Sequence, residues 1–197
     1  ALDFRQDLEL TGRDIARAEP DIDRFLAWAE GQPWLLSAQG RAGVRLVAAR
    51  ALALLTLATL PFVMFGPLLF SAWAILPLIN FAFGHLAAGR MADCFDRVSA
   101  RSRELFAYSS AFAVFERTRF ECPKLAELAA AATAEGKSAS ADIDLLRRRL
   151  DLSESRRSEP IHFLLQSLCL WDFHVLATLE RWQLDAGRRV RGWLVAL

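Results

Sequence analysis

The sequence has 197 residues, enough for one ordinary domain or for a smaller domain with a membrane segment. Hydrophobic residues make up 54% of it and charged residues 24%, so the apolar residues must be segregated if the charges are to stay in water. With 24 basic and 23 acidic residues the formal net charge is +1, which excludes a strong global basic field and leaves only local contacts for any DNA binding. Because Cys94, Cys122 and Cys169 are odd in number and widely spaced, we expect reduced core thiols rather than disulfides or a zinc site.

The segment before residue 41 is predicted to contain one helix. Glu19-Pro20-Asp21 puts a proline in the first helical turn and acids near its positive end, and Gly31 ends the pattern ahead of Pro33. Its apolar face is formed by Ile22, Phe25, Leu26 and Ala29. No cleavable signal peptide is visible, because the long apolar run is internal. We interpret residues 1–40 as an N-terminal helical segment.

A run without any Asp, Glu, Lys, Arg or His extends from Ala51 to Gly84. A helix needs about 20 apolar residues to cross a bilayer core of about 30 Å, so this run is too long for one straight span and suits two spans with their flanks. Gly66-Pro67, near its centre, is a strong turn signal. We therefore predict a transmembrane helical hairpin over residues 41–92. Its spans run from about Leu46 to Phe65 and from about Leu68 to Ala88.

Basic residues mark one end of the predicted hairpin. Arg41, Arg45 and Arg50 flank the first span and Arg90 follows the second, whereas the reversal is uncharged. By the positive-inside rule both soluble ends face the cytoplasm. The predicted location is therefore the inner (cytoplasmic) membrane, with membrane lipid as a partner.

Two prolines lie inside the predicted spans. Pro61 and Pro77 lack a backbone N–H and are expected to kink their helices. The alternative to a membrane hairpin is a buried helical hairpin in a soluble core, where spans of this length and all-round hydrophobicity are unusual.

Residues 93–197 are predicted to form a helical core or lever-like region. The pattern from Met91 to Phe120 has few helix breakers and is typical of a long helix leaving the membrane. Cys122-Pro123 interrupts it, and a short helix is then predicted to end near Gly136.

The next predicted helix has two candidate caps, Ser138 and Ser140. It carries Ile143, Leu146 and Leu150 on one face and ends in the polar run Ser153 to Ser158. After this loop Pro160 is expected to start another helix.

Three tryptophans recur every eleven residues in the last predicted helix, which extends from Ile161 onward. Eleven residues are almost three whole turns, so Trp171, Trp182 and Trp193 fall on nearly one face. This stripe predicts packing against a partner helix, and ordinary core packing is the simpler alternative to ligand stacking. Since no period-two pattern persists, the predicted fold class is all-α: a helical bundle or lever helices with a transmembrane hairpin.

The common catalytic signatures are absent from the sequence. It has no GxxxxGK[ST] phosphate loop, no GxGxxG, no HExxH, no GxSxG and no CxxC. His162, Asp172 and His174 are the best polar constellation for a metal, but residues two apart on a helix point about 200° from each other. We therefore expect them to have a hydrogen-bonding or surface role, with no catalytic, metal or cofactor residue in the chain.

Clusters of arginine are candidate phosphate contacts. The candidates are Arg147, Arg148, Arg188 and Arg189. Each cluster is balanced by nearby acids such as Asp144, Asp151 and Asp185, so a solvated helix face is the alternative.

Several segments in the last hundred residues together resemble a known family. They include Phe120-Glu121-Cys122-Pro123-Lys124-Leu125, Leu168 to Asp172 and Leu179-Glu180-Arg181-Trp182. The Leu-Trp-Asp and Leu-Glu-Arg-Trp segments resemble most closely the helical core and lever region of membrane-anchored bacterial homologues of the DNA mismatch repair protein MutS. The start at Ala1, without methionine, and the helical pattern that runs to Leu197 are expected of an excised fragment.

The resemblance implies a mechanical role. In that family lever helices transmit the nucleotide state of a C-terminal ABC-type ATPase to the DNA-binding part of a dimer. The fragment would be a non-catalytic connector without its own cofactor or small-molecule substrate. The parent protein would be a homodimer that uses ATP and Mg²⁺ and contacts DNA.

Two functions of other classes compete with this expectation. A membrane-anchored helical scaffold or sensor could pair its tryptophan-striped helix with a partner subunit. A membrane-embedded enzyme would need ionisable residues facing one another within the bilayer, and the predicted spans contain none.

Overall fold

The computed structural model describes residues 22–37, 41–66, 70–118, 122–123 and 138–196, and the regular elements in these ranges are all helical. The α-helices are α1 (Ile22–Ala29), α2 (Arg41–Phe65), α3 (Phe70–Trp73), α4 (Ile75–Arg117), α5 (Ala139–Asp151), α6 (Glu159–Cys169) and α7 (Trp171–Ala196). A 3₁₀ helix, Leu152–Arg157, connects α5 to the loop before α6. The predicted all-α class is thus confirmed for the described part of the chain.

Helix α1 matches the helix predicted in the N-terminal segment. Two backbone hydrogen bonds close its C-terminal end. The N–H of Glu30 donates to the carbonyl of Leu26 at 2.8 Å, and the N–H of Gly31 donates to the carbonyl of Trp28 at 3.1 Å. Gly31 therefore ends the helix as predicted. The predicted start at residues 19–21 lies outside the described residues.

Two segments are long and apolar enough to cross a membrane, Gly43–Phe65 and Phe70–Val98. They correspond to the two spans of the predicted hairpin, and each extends past the predicted boundary at its basic end. Helix α2 ends at Phe65, so the predicted reversal begins at Gly66 as expected. Residues 67–69, including the proline of the turn signal, lie outside the described part.

The two prolines have different effects on these helices. Pro61 lies inside α2, which continues to Phe65. Pro77 lies in the first turn of α4, where a missing N–H is tolerated, and the helix is interrupted upstream at Ala74. The kink predicted at Pro77 is therefore a break between α3 and α4, since Pro77 has no N–H to donate to the carbonyl of Trp73.

The chain divides into two compact units. The hairpin unit comprises Pro33–Phe95 and Arg149–Arg181, and the terminal unit comprises Ala1–Gln32, Asp96–Arg148 and Trp182–Leu197. Helices α4, α5 and α7 each contribute residues to both units, and none is interrupted where its residues pass from one unit to the other. The predicted long helix is thus confirmed, because α4 includes part of the second candidate span and continues to Arg117, and its exit from a membrane stays a prediction.

Within the terminal unit, the start of α5 is capped by two partners. The N–H of Ala141 donates to the hydroxyl of Ser138 at 3.1 Å, which confirms Ser138 as a cap. The carboxylate of Glu116, near the end of α4, accepts from the hydroxyls of Ser138 at 2.7 Å and Ser140 at 2.6 Å. Negative charge at a helix N-terminus is stabilising. The short helix predicted to end near Gly136 lies outside the described residues.

The prediction of one continuous helix from Ile161 onward is wrong, because the segment forms two helices. Pro160 does lie in the first turn of α6, but α6 ends at Cys169. Leu170 follows in a left-handed conformation, with φ 51° and ψ 47°, and the axes of α6 and α7 differ by 85°. A left-handed leucine is strained, and its fully buried side chain contributes packing that offsets this cost.

Aromatic rings form much of the terminal unit's core. Trp182 of α7 stacks on Trp28 of α1, with ring centroids 6.0 Å apart, and Phe25 packs against both rings. Gly187, one turn further along α7, lies against the backbone of Ala29, where a Cβ would collide with the carbonyl of Ala29. The close approach of these two helices therefore requires glycine at position 187.

We expect Gly187→Ala to destabilise the protein by about 1–3 kcal/mol, because the added methyl group forces α1 and α7 apart. The measurement is the melting temperature by circular dichroism in detergent micelles. Gly192→Ala on the same helix is the matched control, since a Cβ there meets nothing within 4 Å. That control should stabilise α7 by about 0.5–1 kcal/mol through helix propensity. Equal effects of the two substitutions would contradict the close approach.

Candidate functional site

A buried carboxylate fastens the chain ahead of the hairpin to α7 within the hairpin unit. Glu180 is 2% exposed and accepts hydrogen bonds from three consecutive backbone N–H groups. Trp34 donates to Oε1 at 2.8 Å, Leu36 donates to Oε2 at 2.7 Å, and Leu35 donates to both oxygens at 2.9 and 2.8 Å. Both carboxylate oxygens are therefore satisfied by a segment about 145 residues earlier in the chain.

The electrostatics of Glu180 reflect two opposing effects. Burial raises the pKa of the Glu180 carboxyl above its ordinary value, because desolvation disfavours the charged form. The N–H groups of Leu35, Leu36 and Trp34 lower this pKa and offset part of the rise. The arrangement suits a structural anchor, since every close partner is a backbone donor and none is a side chain that could exchange a proton.

Polar side chains inside the predicted spans bind one another. The Asn80 amide on α4 donates to the Thr56 hydroxyl on α2 at 2.9 Å and to the Ser167 carbonyl on α6 at 2.9 Å. The Trp73 indole donates to the Thr59 hydroxyl at 3.2 Å. Three of the four polar residues in the predicted apolar run thus link helices. The second bond of Asn80 also satisfies a carbonyl in the last turn of α6, which has no partner within its own helix.

The histidine and aspartate candidates are only partly brought together. Nε2 of His162 lies 3.1 Å from Oδ1 of Asp172, and Nε of Arg156 lies 3.9 Å from the other oxygen of this buried carboxylate. His174 takes no part in this set, and burial together with the charge of Arg50 lowers its pKa. Among the described residues no group of three or more His, Cys, Asp or Glu could hold a metal ion. His162 and Asp172 thus form a hydrogen bond, in agreement with the predicted hydrogen-bonding or surface role, and His174 is half-buried.

The three tryptophans predicted for partner-helix packing all make contacts within this chain. Trp182 and Trp193 are buried in the terminal unit: the Trp182 indole donates to the Asp142 carbonyl at 2.7 Å, and Trp193 meets Phe112 edge-on at 6.5 Å. In the hairpin unit the half-buried Trp171 donates to the carbonyl of Leu152 at 3.2 Å. Pairing with a partner's helix stays a prediction.

The candidate phosphate contacts lie in the terminal unit and differ in exposure. Arg189 is held by Asp142 at 2.9 Å, and Arg147 lies over the ring of Phe106. Arg147, Arg148 and Arg188 are exposed and Arg189 is half-buried. Phosphate binding stays a prediction for all four. Cys94 and Cys169 are half-buried, whereas Cys122 is exposed, so the prediction of a core thiol is wrong for Cys122.

The surface of the hairpin unit is apolar on a large scale. Fourteen large hydrophobic side chains of the two spans are exposed, including Leu54, Met64, Phe65, Leu78 and Leu86. Thr56 and Asn80 are fully buried in the same helices. Helices in lipid are expected to bury their polar side chains and to expose their apolar ones, as these two helices do. The sequence analysis missed the contacts of the hairpin with α6 and those of Glu180 on α7 with residues 34–36, since nothing in the local pattern marks contacts between distant segments.

Comparison of the sequence with protein-family models and with curated proteins gave no match, and no solved structure matches the fold.

We expect Glu180→Gln to destabilise the protein by about 2 kcal/mol, because the amide NH₂ of glutamine would face a backbone N–H and leave it unsatisfied. This corresponds to a fall of about 4–8 °C in the melting temperature, measured in detergent micelles. The matched control is Glu30→Gln, which removes an exposed ion pair with Arg191. Its expected effect is under about 1 kcal/mol. A control as damaging as Glu180→Gln would refute the anchoring role.

Asn80→Leu keeps the number and branching of the side-chain heavy atoms but removes both hydrogen-bond donors. We expect a loss of about 1–2 kcal/mol, in the range measured for hydrogen bonds between membrane helices. Resistance to thermal unfolding in micelles is the readout. Ser71→Ala, at an exposed polar position of the same apolar run, should change nothing. If both variants melt like the parent chain, the contact of Asn80 with α2 and α6 contributes no stability.

Proposed function

We propose that this chain is a non-catalytic helical connector, the core or lever segment of a membrane-anchored MutS-like DNA-repair-type ATPase. The observation that carries the proposal is the continuity of α4, α5 and α7, each of which contributes to both compact units without interruption. An uninterrupted helix transmits displacement along its axis, because its backbone hydrogen bonds resist local bending. Such helices suit a part that relays the nucleotide state of an ATPase to a DNA-binding region.

The segments that carry the resemblance support a structural role for this chain. In the Leu-Trp-Asp segment, Leu170 makes the left-handed bend and Asp172 pairs with His162. In the Leu-Glu-Arg-Trp segment, Glu180 anchors residues 34–36 and Trp182 stacks on Trp28. These side chains are occupied in holding helices together. Selection on them would act through the fold and not through chemistry.

The hairpin gives the proposed connector its membrane anchor. Arg41, Arg45, Arg50 and Arg90 lie toward one end of the two spans, which favours an orientation with that end in the cytoplasm. In this proposal the anchor lies in the inner membrane, and the C-terminal ATPase, with its ATP and Mg²⁺, is on the DNA side. A homodimer of the parent protein would then embrace DNA near the membrane surface.

A membrane scaffold or sensor is the other function considered, and its support is weaker. It depends on the tryptophan stripe being offered to a partner helix. Trp182 and Trp193 are each 1% exposed and already packed against Trp28 and Phe112. Little of their surface is left for a second protein.

The connector proposal predicts what the parent gene encodes and what its product binds. The reading frame beyond Leu197 should encode a strand, a GxxxxGK[ST] loop and a helix within about a hundred residues, the signature of a phosphate-binding site. The full-length protein in vesicles should bind branched or mismatched DNA with an affinity that falls as salt rises. Sequencing and filter binding at several salt concentrations are the measurements.

Arginine variants of the full-length protein make this test specific. Arg148→Gln combined with Arg188→Gln should reduce the salt slope by about 2 if each side chain contacts one phosphate. Arg181→Gln, another exposed arginine on α7, is the matched control and should leave the slope unchanged. A stop codon or an unrelated domain after Leu197 would overturn the proposal.

A further inference from the structure

Helix α6 has its polar and apolar side chains on the sides opposite to those expected in water. Gln166 and Ser167 are buried, whereas Ile161, Phe163 and Leu164 are each more than half exposed. Pro160 to Trp171 contains no Asp, Glu, Lys or Arg. In a soluble protein such a helix would leave apolar side chains in water while covering its polar ones, which is the reverse of normal burial.

The same inverted pattern characterises the two membrane spans, and α6 is packed against both of them. Phe163 contacts the ring of Phe81 at 5.3 Å, and the Asn80 amide binds the carbonyl of Ser167. Gly84 makes room for Gln166, whose side chain a Cβ would strike. Helix α2 also packs against α6. Residues 80–84 lie well inside the second span, so α6 is at the level of the apolar part of the hairpin.

The length of α6 limits how it can lie in a bilayer. Eleven residues of α-helix extend about 16 Å, roughly half of a bilayer core of about 30 Å. The chain then turns by 85° at Leu170 into α7. A helix this short cannot cross the membrane on its own, although it is long enough to cover the depth of one leaflet.

The ionisable groups next to α6 are arranged as lipid requires. Asp172 is 5% exposed and is paired with His162 and Arg156, so its charge does not face the exposed apolar surface. Charged groups near the bilayer are tolerated when they face protein and are paired. On α6 itself the exposed Glu159 is the first residue, at the end of the helix, and the exposed side chains that follow it are hydrocarbon: Pro160, Ile161, Phe163 and Leu164.

We infer that α6 is embedded in one leaflet beside the hairpin, with Ile161, Phe163 and Leu164 against acyl chains and Gln166 and Ser167 turned toward the spans. This inference rests on the proposed anchoring of the hairpin in the membrane. The occupant of the exposed face is lipid because that face is continuous with the apolar surface of the spans. The membrane-embedded part of the chain then has three segments, and residues 160–170 belong to it.

The test is spin-label accessibility in the full chain, reconstituted in vesicles of phosphatidylethanolamine and phosphatidylglycerol. A nitroxide is attached at Leu164→Cys in a background carrying Cys94→Ala, Cys122→Ala and Cys169→Ala, whose helix content is first checked by circular dichroism. Collision rates with oxygen, which concentrates in lipid, and with a water-soluble nickel complex are compared. Ile161→Cys provides a second position on the same face.

Two matched positions make the result decisive. Leu184 of α7 is as exposed as Leu164, at 55% against 57%, but lies in the terminal unit. Phe62, also 57% exposed, lies on the first span. We expect the oxygen-to-nickel ratio at position 164 to match that at position 62 and to exceed that at position 184 several-fold.

The remaining outcomes separate this inference from the anchoring proposal. An aqueous label at position 164 with a lipid-exposed label at position 62 overturns the placement of α6 and leaves the hairpin anchor intact. Aqueous labels at both positions overturn the anchor and the inference together. A label at position 164 that neither reagent reaches overturns lipid as the occupant and indicates a protein surface there.

Discussion

The hairpin unit depends on one buried charge being surrounded by backbone donors. Glu180 on α7 receives the N–H groups of Trp34, Leu35 and Leu36, three donors in a segment that forms no helix of its own. A carboxylate in this position would be costly without partners, and those N–H groups would be costly without an acceptor. Each side therefore needs the other. This mutual requirement ties the chain entering the first span to a helix near the end of the sequence.

The two spans of the hairpin could be predicted from the distribution of charged residues along the sequence. The helices and segments that pack against the hairpin could not, because they come from distant parts of the chain. The run without ionisable residues and the Gly66-Pro67 signal indicated two spans and their reversal, because exclusion from lipid acts on each charge individually. The cap at Ser138 followed from local chemistry in the same way. The break at Leu170 could not be foreseen. Its left-handed backbone is stabilised by burial of a leucine side chain, whereas local rules lead one to look for glycine or asparagine.

The candidate site illustrates the same division. The spacing of Asp172 and His174 correctly predicted that their side chains point in different directions, since this depends only on helix geometry. That His162 would reach Asp172 depends on the 85° turn between α6 and α7, which the sequence pattern does not contain. The tryptophan stripe was recognised from its period, but its neighbours Trp28 and Phe112 lie far away in the sequence. The eleven-residue period thus identified the helix face that carries the tryptophans, but only the structure shows which side chains they contact.

The bond between Asn80 and Ser167 joins residues 87 positions apart and therefore has a consequence for biosynthesis. Chains are made from the N-terminus at about 5–20 residues per second, so Ser167 follows Asn80 by on the order of ten seconds. During that interval the nascent hairpin holds Asn80 with only Thr56 as a helix-to-helix partner. Such a delay gives the hairpin a period in which its polar groups are incompletely satisfied.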